Sequence, residues 1–267
     1  MSEFEKLKIV TRYELLKQLR RKRFYGALAL TVLAQVLTIA LYKGLDIPGK
    51  IHISDSPELF AIFSTSITTI AIIGSVFFSG DAIASEFEHK TGYILFPNPV
   101  KKITIVTGKY IACFIATAAI LGVAYLISAF SLLGFYQSIP SGILSSLAIA
   151  LALACCVLSI AFAFSSFMKG GMGATIATLL AFIMILPIVS TSLVYAGYNP
   201  WFLPNYAGNA VTATYGLQLG QVFGGFGEGR GARIGTPDPV TSFIVLLVYA
   251  AVLFQISIWL TKRREMV

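Results

Sequence analysis

"DAIASEFEHKTGYILFPNPVKK", residues 81–102, sets acids, bases, a histidine and two prolines between two long apolar runs. The contrast matters because the rest of the chain avoids charge. Its 267 residues are 57% hydrophobic and 12% charged, with a formal charge of +8, whereas a soluble domain carries about 25% charged residues. That balance belongs to a membrane protein.

On either side of this stretch, residues 24–42, 59–80, 110–134, 143–167, 174–195 and 241–260 contain no Lys, Arg, Asp or Glu. Each comes close to or exceeds the ~20 apolar residues that cross a bilayer as a helix. The expected fold is all-α and integral to the membrane, with six transmembrane helices. More than twenty residues rich in charge, "MSEFEKLKIVTRYELLKQLRRKRF", precede the first run, so it is expected to be retained rather than cleaved as a signal.

Lys and Arg concentrate on the cytoplasmic side of membrane proteins. With the N-terminus inside, only Lys43, Lys50, Arg230 and Arg233 of the 20 basic residues fall outside. Both termini are then cytoplasmic, as is loop 81–102, in the plasma membrane of the cell. The expected domains are a cytoplasmic interfacial helix over 1–23 and a six-span transmembrane domain over 24–267. In the first, Phe4, Leu15, Leu16 and Leu19 share a broad sector on which Lys8 and Arg12 intrude. A basic helix of this kind suits the inner membrane surface, beside lipid headgroups; a simple topogenic cluster is the alternative.

Within the opening stretch, Ser85 and Glu88 have the spacing of a capping box, and Glu86 precedes Lys90 by four residues, the favourable order for a helical ion pair. A short helix is expected from Ser85, ended by Gly92 and by Pro97 and Pro99, which hold their preceding residues extended. Phe87, Tyr93, Ile94, Leu95 and Phe96 are unusual in a solvated loop. They imply something packed against it, a partner protein or the chain's own helices and headgroup region.

The outer loop, 196–240, is too poor in charge for a soluble domain. Tyr198, Trp201, Phe202 and Tyr206 read as an interfacial aromatic belt. Gly216, Gly220 and Gly224 recur every four residues, which on a helix opens a groove for close approach. The expectation is a segment that dips back into the outer leaflet and ends in a Gly-rich tip; a disordered loop is the alternative. In the fourth span Ala148, Ala152 and Cys156 recur in the same way. Cys113, Cys155 and Cys156 read as small packing residues, with no spacing suited to a metal or a disulfide framework.

From Asp81 through Glu86, Glu88, Thr91, Leu95, Pro99, Val100, Lys102, Gly108 and Lys109, the chain resembles the signature of permeases of the ABC type-2 exporter family. In that family an acidic helix, a Thr, a leucine pair, a Pro-Val, a basic residue and a Gly-Lys recur in this order between the second and third spans. The order of a basic N-terminal helix, six spans and a long outer loop before the last is similar too. Phe96 stands where the family often has its second leucine, Gly92 follows Thr91 where Gly usually comes first, and Lys102 replaces a frequent Arg, keeping the charge without the bidentate fork.

The resemblance implies a membrane permease that couples to a separate ATP-binding subunit and forms its path as a dimer with an identical or related chain. It implies a coupling interface of Asp81, Glu86, Phe87, Glu88, Thr91, Gly92, Pro99 and Lys102, with Gly108 and Lys109 at the return into the membrane. It also implies an outer re-entrant helical segment marked by Trp201, Gly216, Gly220 and Gly224. ATP and magnesium would sit on the partner, with no cofactor in this chain. The residues agree on this last point, since no G-x-x-x-x-G-K-[ST] phosphate loop occurs. The expected partners are ABC-type ATPase subunits, a second permease and membrane lipids, with no nucleic acid.

Three other classes compete. An ion-coupled carrier places ionisable groups inside its spans, and the six runs have none. An intramembrane enzyme built on His89 with Asp81, Glu86 and Glu88 needs these groups to converge, which one short helix does not favour. A membrane anchor for an ATPase shares the logic of the loop and differs in moving nothing. The cargo is not written in the sequence.

Overall fold

The computed structural model describes residues 2–50, 54–66, 68–88, 101–168, 170–216 and 237–263, and every regular element among them is helical. The first is α1 (Glu3–Arg20), followed by α2 (Lys22–Gly44) and the short α3 (Ile47–Lys50). Next come α4 (Pro57–Ser66), α5 (Thr68–Ser79) and α6 (Ala84–Glu88). Then follow α7 (Lys102–Tyr136), α8 (Ile143–Phe167) and α9 (Gly171–Leu180), the last continuing through a π-turn (Ala181–Ile185) into α10 (Leu186–Tyr195). Two short helices, α11 (Pro204–Gly208) and α12 (Ala210–Ala213), precede α13 (Pro239–Arg263).

Among the described residues, five helical stretches are long and apolar enough to cross a membrane: Lys22–Gly44, Lys102–Tyr136, Ile143–Phe167, Gly171–Tyr195 and Pro239–Arg263. The remaining expected span, 59–80, is helical over α4 and α5, with residue 67 between them outside the described residues. The hydroxyls of Ser64 and Thr65 donate to the carbonyl of Ala61, and that of Ser66 to Ile62, and such back-bonding bends helices.

α7 departs from expectation. It begins at Lys102, eight residues before the apolar run, and has 35 residues. At about 1.5 Å per residue it far exceeds the ~30 Å hydrocarbon core. Its first turns therefore project from the membrane and give α1 a wall to lean on.

α8 is the centre of the bundle, with α13 packed along it. Ala150, Leu153, Ala154, Val157 and Ala161 are buried at helical spacing. Ala152 and Cys156 are buried as well, but Ala148 is exposed, so the small-residue stripe runs through Ala150 and Ala154 instead. The end of the bundle near both termini has its own apolar cluster, including Ala82, Ile83, Val106, Leu158, Phe162 and Ile258. The opposite end is built on Tyr42, Leu59, Phe60, Leu132 and Tyr215.

An aromatic latch closes that opposite end. Lys43 meets Asp55 at 2.9 Å and donates to the Tyr136 hydroxyl at 3.0 Å. The Tyr42 hydroxyl donates to the same carboxylate at 2.9 Å, as does that of Tyr136. The Lys43 ammonium lies 4.6 Å from the Tyr136 ring centroid and 5.4 Å from that of Phe135, a cation–π arrangement.

The outer segment does turn back into the protein, through residues other than the glycines. Pro204, Tyr206, Ala207, Ala210 and Val211 are buried, and Ser146 donates to the Val211 carbonyl at 2.7 Å. Trp201 and Tyr198 stay exposed, while Tyr206, expected in the aromatic belt, is an interior residue. Gly216 has φ +77, a left-handed conformation that glycine adopts without strain. It follows the helical pair at the end of this described stretch. Gly220 and Gly224 lie outside the described residues.

Candidate functional site

The charged residues of the opening stretch gather at the end of the bundle near both termini. After α5 the chain turns at Gly80, where a Cβ would stand 2.6 Å from the Thr175 hydroxyl oxygen and 2.8 Å from its Cα. Only glycine lets this turn sit so close to α9. α6 then begins with the N–H groups of Ile83 and Ala84 donating to the hydroxyl of Ser165, at 3.0 and 2.9 Å. Ser165 is fully buried on α8, so this helix start is capped from across the fold. The expected local capping box does not form. Ser85 lies inside α6, its N–H taken by the Asp81 carbonyl, and Glu88 instead accepts from the N–H of Gly171 at 2.8 Å.

That bond sets a carboxylate at the first residue of α9, where free N–H groups and the helix dipole favour negative charge. Gly171 is constrained as well, because a Cβ there would stand 2.9 Å from that of Asp81. Asp81 pairs with Arg23 at 3.0 Å and with Arg21 at 3.5 Å, and Arg23 also donates to the Phe77 carbonyl. The junction of α1 and α2 is thereby tied to the turn before α6.

Glu86 faces inward. Its carboxylate lies 2.7 Å from the Lys109 ammonium and 3.6 Å from that of Lys17. Glu14 completes the group at 3.0 Å from Lys109 and 3.8 Å from Lys17. Two acids and two lysines alternate, so the cluster is neutral although Lys109 is 4% exposed. Burying charge is tolerable only when it is compensated in this way. Its members come from α1, α6 and α7, three elements that local sequence does not connect.

α1 reaches this position because Gly108 lets it approach. A Cβ at Gly108 would lie 2.7 Å from the Val10 methyl and 3.4 Å from the Thr11 nitrogen. Above this point, Gln18 donates to the Cys113 sulfur; below it, Thr104 donates to Glu3 at 3.3 Å. The face of α1 turned to α7 thus carries Val10, Glu14 and Gln18. Of the leucine sector read from the sequence, Leu15 and Leu19 pack on the core, while Phe4 and Leu16 are exposed.

Lys102 opens α7 and is half-buried, and Phe87 belongs to α6. Thr91, Gly92 and Pro99 lie outside the described residues, as do His89 and Lys90. Asp81, Glu86 and Glu88 go to three different partners and do not converge on a point. Arg21, Arg23, Glu14, Lys17, Ser165 and Gly171 were not singled out from the sequence.

The family described as "ABC-2 family transporter protein" matches residues 9–266. The chain belongs to this family. The match takes in the whole charged layer together with all the spanning helices, so the cluster of α1, α6 and α7 falls inside the family unit. As an ABC-2 family member the chain is a multi-pass membrane protein and the membrane component of an ABC transporter, a part that is generally not catalytic itself. The family implies association with ABC ATPase subunits. Curated proteins give no match.

Proposed function

We propose that the chain is the permease subunit of an ATP-driven exporter, working as a dimer with an identical or related permease. Its coupling element is α6 with the loop that follows, facing the cytoplasm along with both termini in the plasma membrane. ATP and magnesium sit on separate ATPase subunits, and this chain carries no cofactor. The observation that supports this reading is the way α6 is fastened: to α1 and α7 by the Glu14–Lys17–Glu86–Lys109 cluster, to α8 by Ser165, and to α9 by Glu88. Force applied to a five-residue helix held on all sides is delivered to three spans at once.

In this reading Asp81 and Glu86 position the helix, with Gly108 and Lys109 supplying the wall behind it. Phe87, Glu88, Thr91, Gly92, Pro99 and Lys102 meet the ATPase. α1 presents Ile9, Tyr13 and Leu16, all exposed, to the membrane interface. Export as the direction follows the family resemblance.

The test is co-expression with candidate ABC-type ATPase subunits, chiefly any encoded beside the gene. An ATPase should co-purify, and its hydrolysis in proteoliposomes should lose its response to the permease when Glu88→Lys and Lys102→Glu are combined. Failure of any ATPase to co-purify counts against the proposal. An ATPase that binds and hydrolyses while no cargo moves would make the chain an anchor instead.

A further inference from the structure

An apolar groove of about 370 Å3 opens between α8, the π-turn and α13, lined by residues that include Phe164, Phe167, Ile185, Pro204, Leu253 and Leu260. We infer that it holds one acyl chain of an anionic phospholipid, drawn from the leaflet on the side of the termini.

Length comes first. The groove follows α13 from Tyr249 to Leu260, roughly 16 Å at the helical rise. That is close to half of the ~30 Å hydrocarbon core, the depth of one leaflet. Pro204 of the inturned outer segment stands at one end and stops the groove from continuing through the other leaflet. The remaining end lies towards the last turn of α13, and so towards the cytoplasmic surface in the proposed orientation.

Charge selects the headgroup. Lys262 and Arg263 follow Leu260 in the last turn of α13, and both are exposed. The Arg263 guanidinium lies 4.0 Å from the Trp259 ring centroid, in the turn of α13 that follows Leu260. Among the described residues no carboxylate pairs with Lys262 or Arg263. A second lipid-facing groove of about 360 Å3, between α2 and α5, offers a contrast, since Arg23 at its mouth is already neutralised by Asp81 at 3.0 Å. Of these two grooves, the one at α13 joins an apolar slot to cations that have no carboxylate partner among the described residues, which is the pattern an anionic lipid fits.

The backbone beside the slot is unusual as well. Pro187 has no N–H to give to the carbonyl of Ile183, and the helix widens into the π-turn Ala181–Ile185 ahead of it. Such turns mark functional positions in helices, and Ala181 and Ile185 both line the groove. An acyl chain there packs against the one irregular stretch of this span, supplying apolar contacts that a straight helix would make with its neighbours.

The experiment uses the full chain in detergent micelles. Trp259 is one of two tryptophans, so Trp201→Phe leaves it as the sole tryptophan, excited selectively over the tyrosines. Brominated phosphatidylglycerol is titrated against brominated phosphatidylcholine. The expected result is saturable quenching, with the anionic lipid effective at a roughly fivefold lower concentration, as one surface cation confers. Arg263→Gln should remove most of this preference. Ala163→Phe, and independently Ala181→Phe, should fill the slot and abolish saturation with either lipid while the thermal transition persists.

Equal quenching by the two lipids would overturn the inference, as would an unchanged phosphatidylglycerol curve in both filled variants. Quenching protected by self-association, and restored on dilution, would assign the groove to a second copy of the chain and also overturn it. No ATPase is present in this assay, so its failure leaves the coupling proposal untouched.

Discussion

The two ends of the bundle each use a lysine held by an acid, at 2.7 Å for Lys109–Glu86 and 2.9 Å for Lys43–Asp55. Distance does not separate them; burial does. The side chains of Lys109 and Glu86 are 5% and 10% exposed, whereas those of Lys43 and Asp55 are 37% and 40% exposed. Water screens the outer pair, so its energy is small and easily exchanged for hydration. Lys109, Glu86 and Glu14 have given up most of their hydration and depend on one another for compensation, with the exposed Lys17 at their rim. These contacts tie α6 to α7 and α1, while the exposed latch holds its end of the bundle only weakly.

The largest effect is therefore expected from Lys109→Ala, which leaves Glu14 and Glu86 buried beside each other without their shared cation. It should lower stability by about 3–5 kcal/mol, read as a large drop in the melting temperature of the purified protein. Reversing all four charges together (Glu14→Lys, Lys17→Glu, Glu86→Lys, Lys109→Glu) sharpens the point, since every contact then stays between opposite charges. Recovery of part of the lost stability is expected, and no recovery would show that the cluster does not act within the chain.

Gly108→Leu comes next. The new side chain meets Val10 on the wall that α1 leans against, and overpacking of this kind costs about 1–3 kcal/mol. Limited proteolysis should show earlier cleavage within α1 while the spanning helices stay protected. Ser165→Ala follows, removing the acceptor for two buried N–H groups at the start of α6, at about 1–3 kcal/mol. Hydrogen exchange at Ile83 and Ala84 should accelerate more than at the middle of α8.

Breaking the outer latch should do least. Asp55→Asn is expected to cost no more than about 1 kcal/mol, and its pH dependence identifies it. Burial pushes the Asp55 carboxyl up, but hydrogen bonds from Tyr136, Lys43 and Tyr42 and the charge of Lys43 outweigh this and hold it below the usual carboxylate range. A depressed value means that the stabilisation is complete above the unfolded value of about 3.9 and fades as the pH falls through the folded one. The difference in melting temperature between the wild type and Asp55→Asn should thus be constant near neutrality and vanish in strong acid. A difference that persists at low pH would show that the carboxylate charge is not what the latch uses.

The two ends also differ in how far the sequence revealed them. Long runs without charge announced the spanning helices, because hydropathy is a sum over neighbours in the chain. The role of α1 was partly hidden. Its packed face includes Glu14 and Gln18, which a search for apolar periodicity assigns to solvent. The same bias placed Glu86 on the outside of its loop, because a carboxylate is read as exposed until a buried cation is found for it.

By itself the sequence determined the all-α membrane character, the position of the charged loop between apolar runs and the family to which these belong. Composition and spacing along the chain suffice for each of these, because a bilayer imposes a fixed length and excludes charge locally. Only the tertiary structure decided which way Glu86 faces, what caps α6 and why Gly108 and Gly171 are glycine. Lys109 is 95 positions from Glu14 and 23 from Glu86 in the chain numbering, and a buried ion pair depends on separation in space and the loss of water around it, neither of which is a property of a segment.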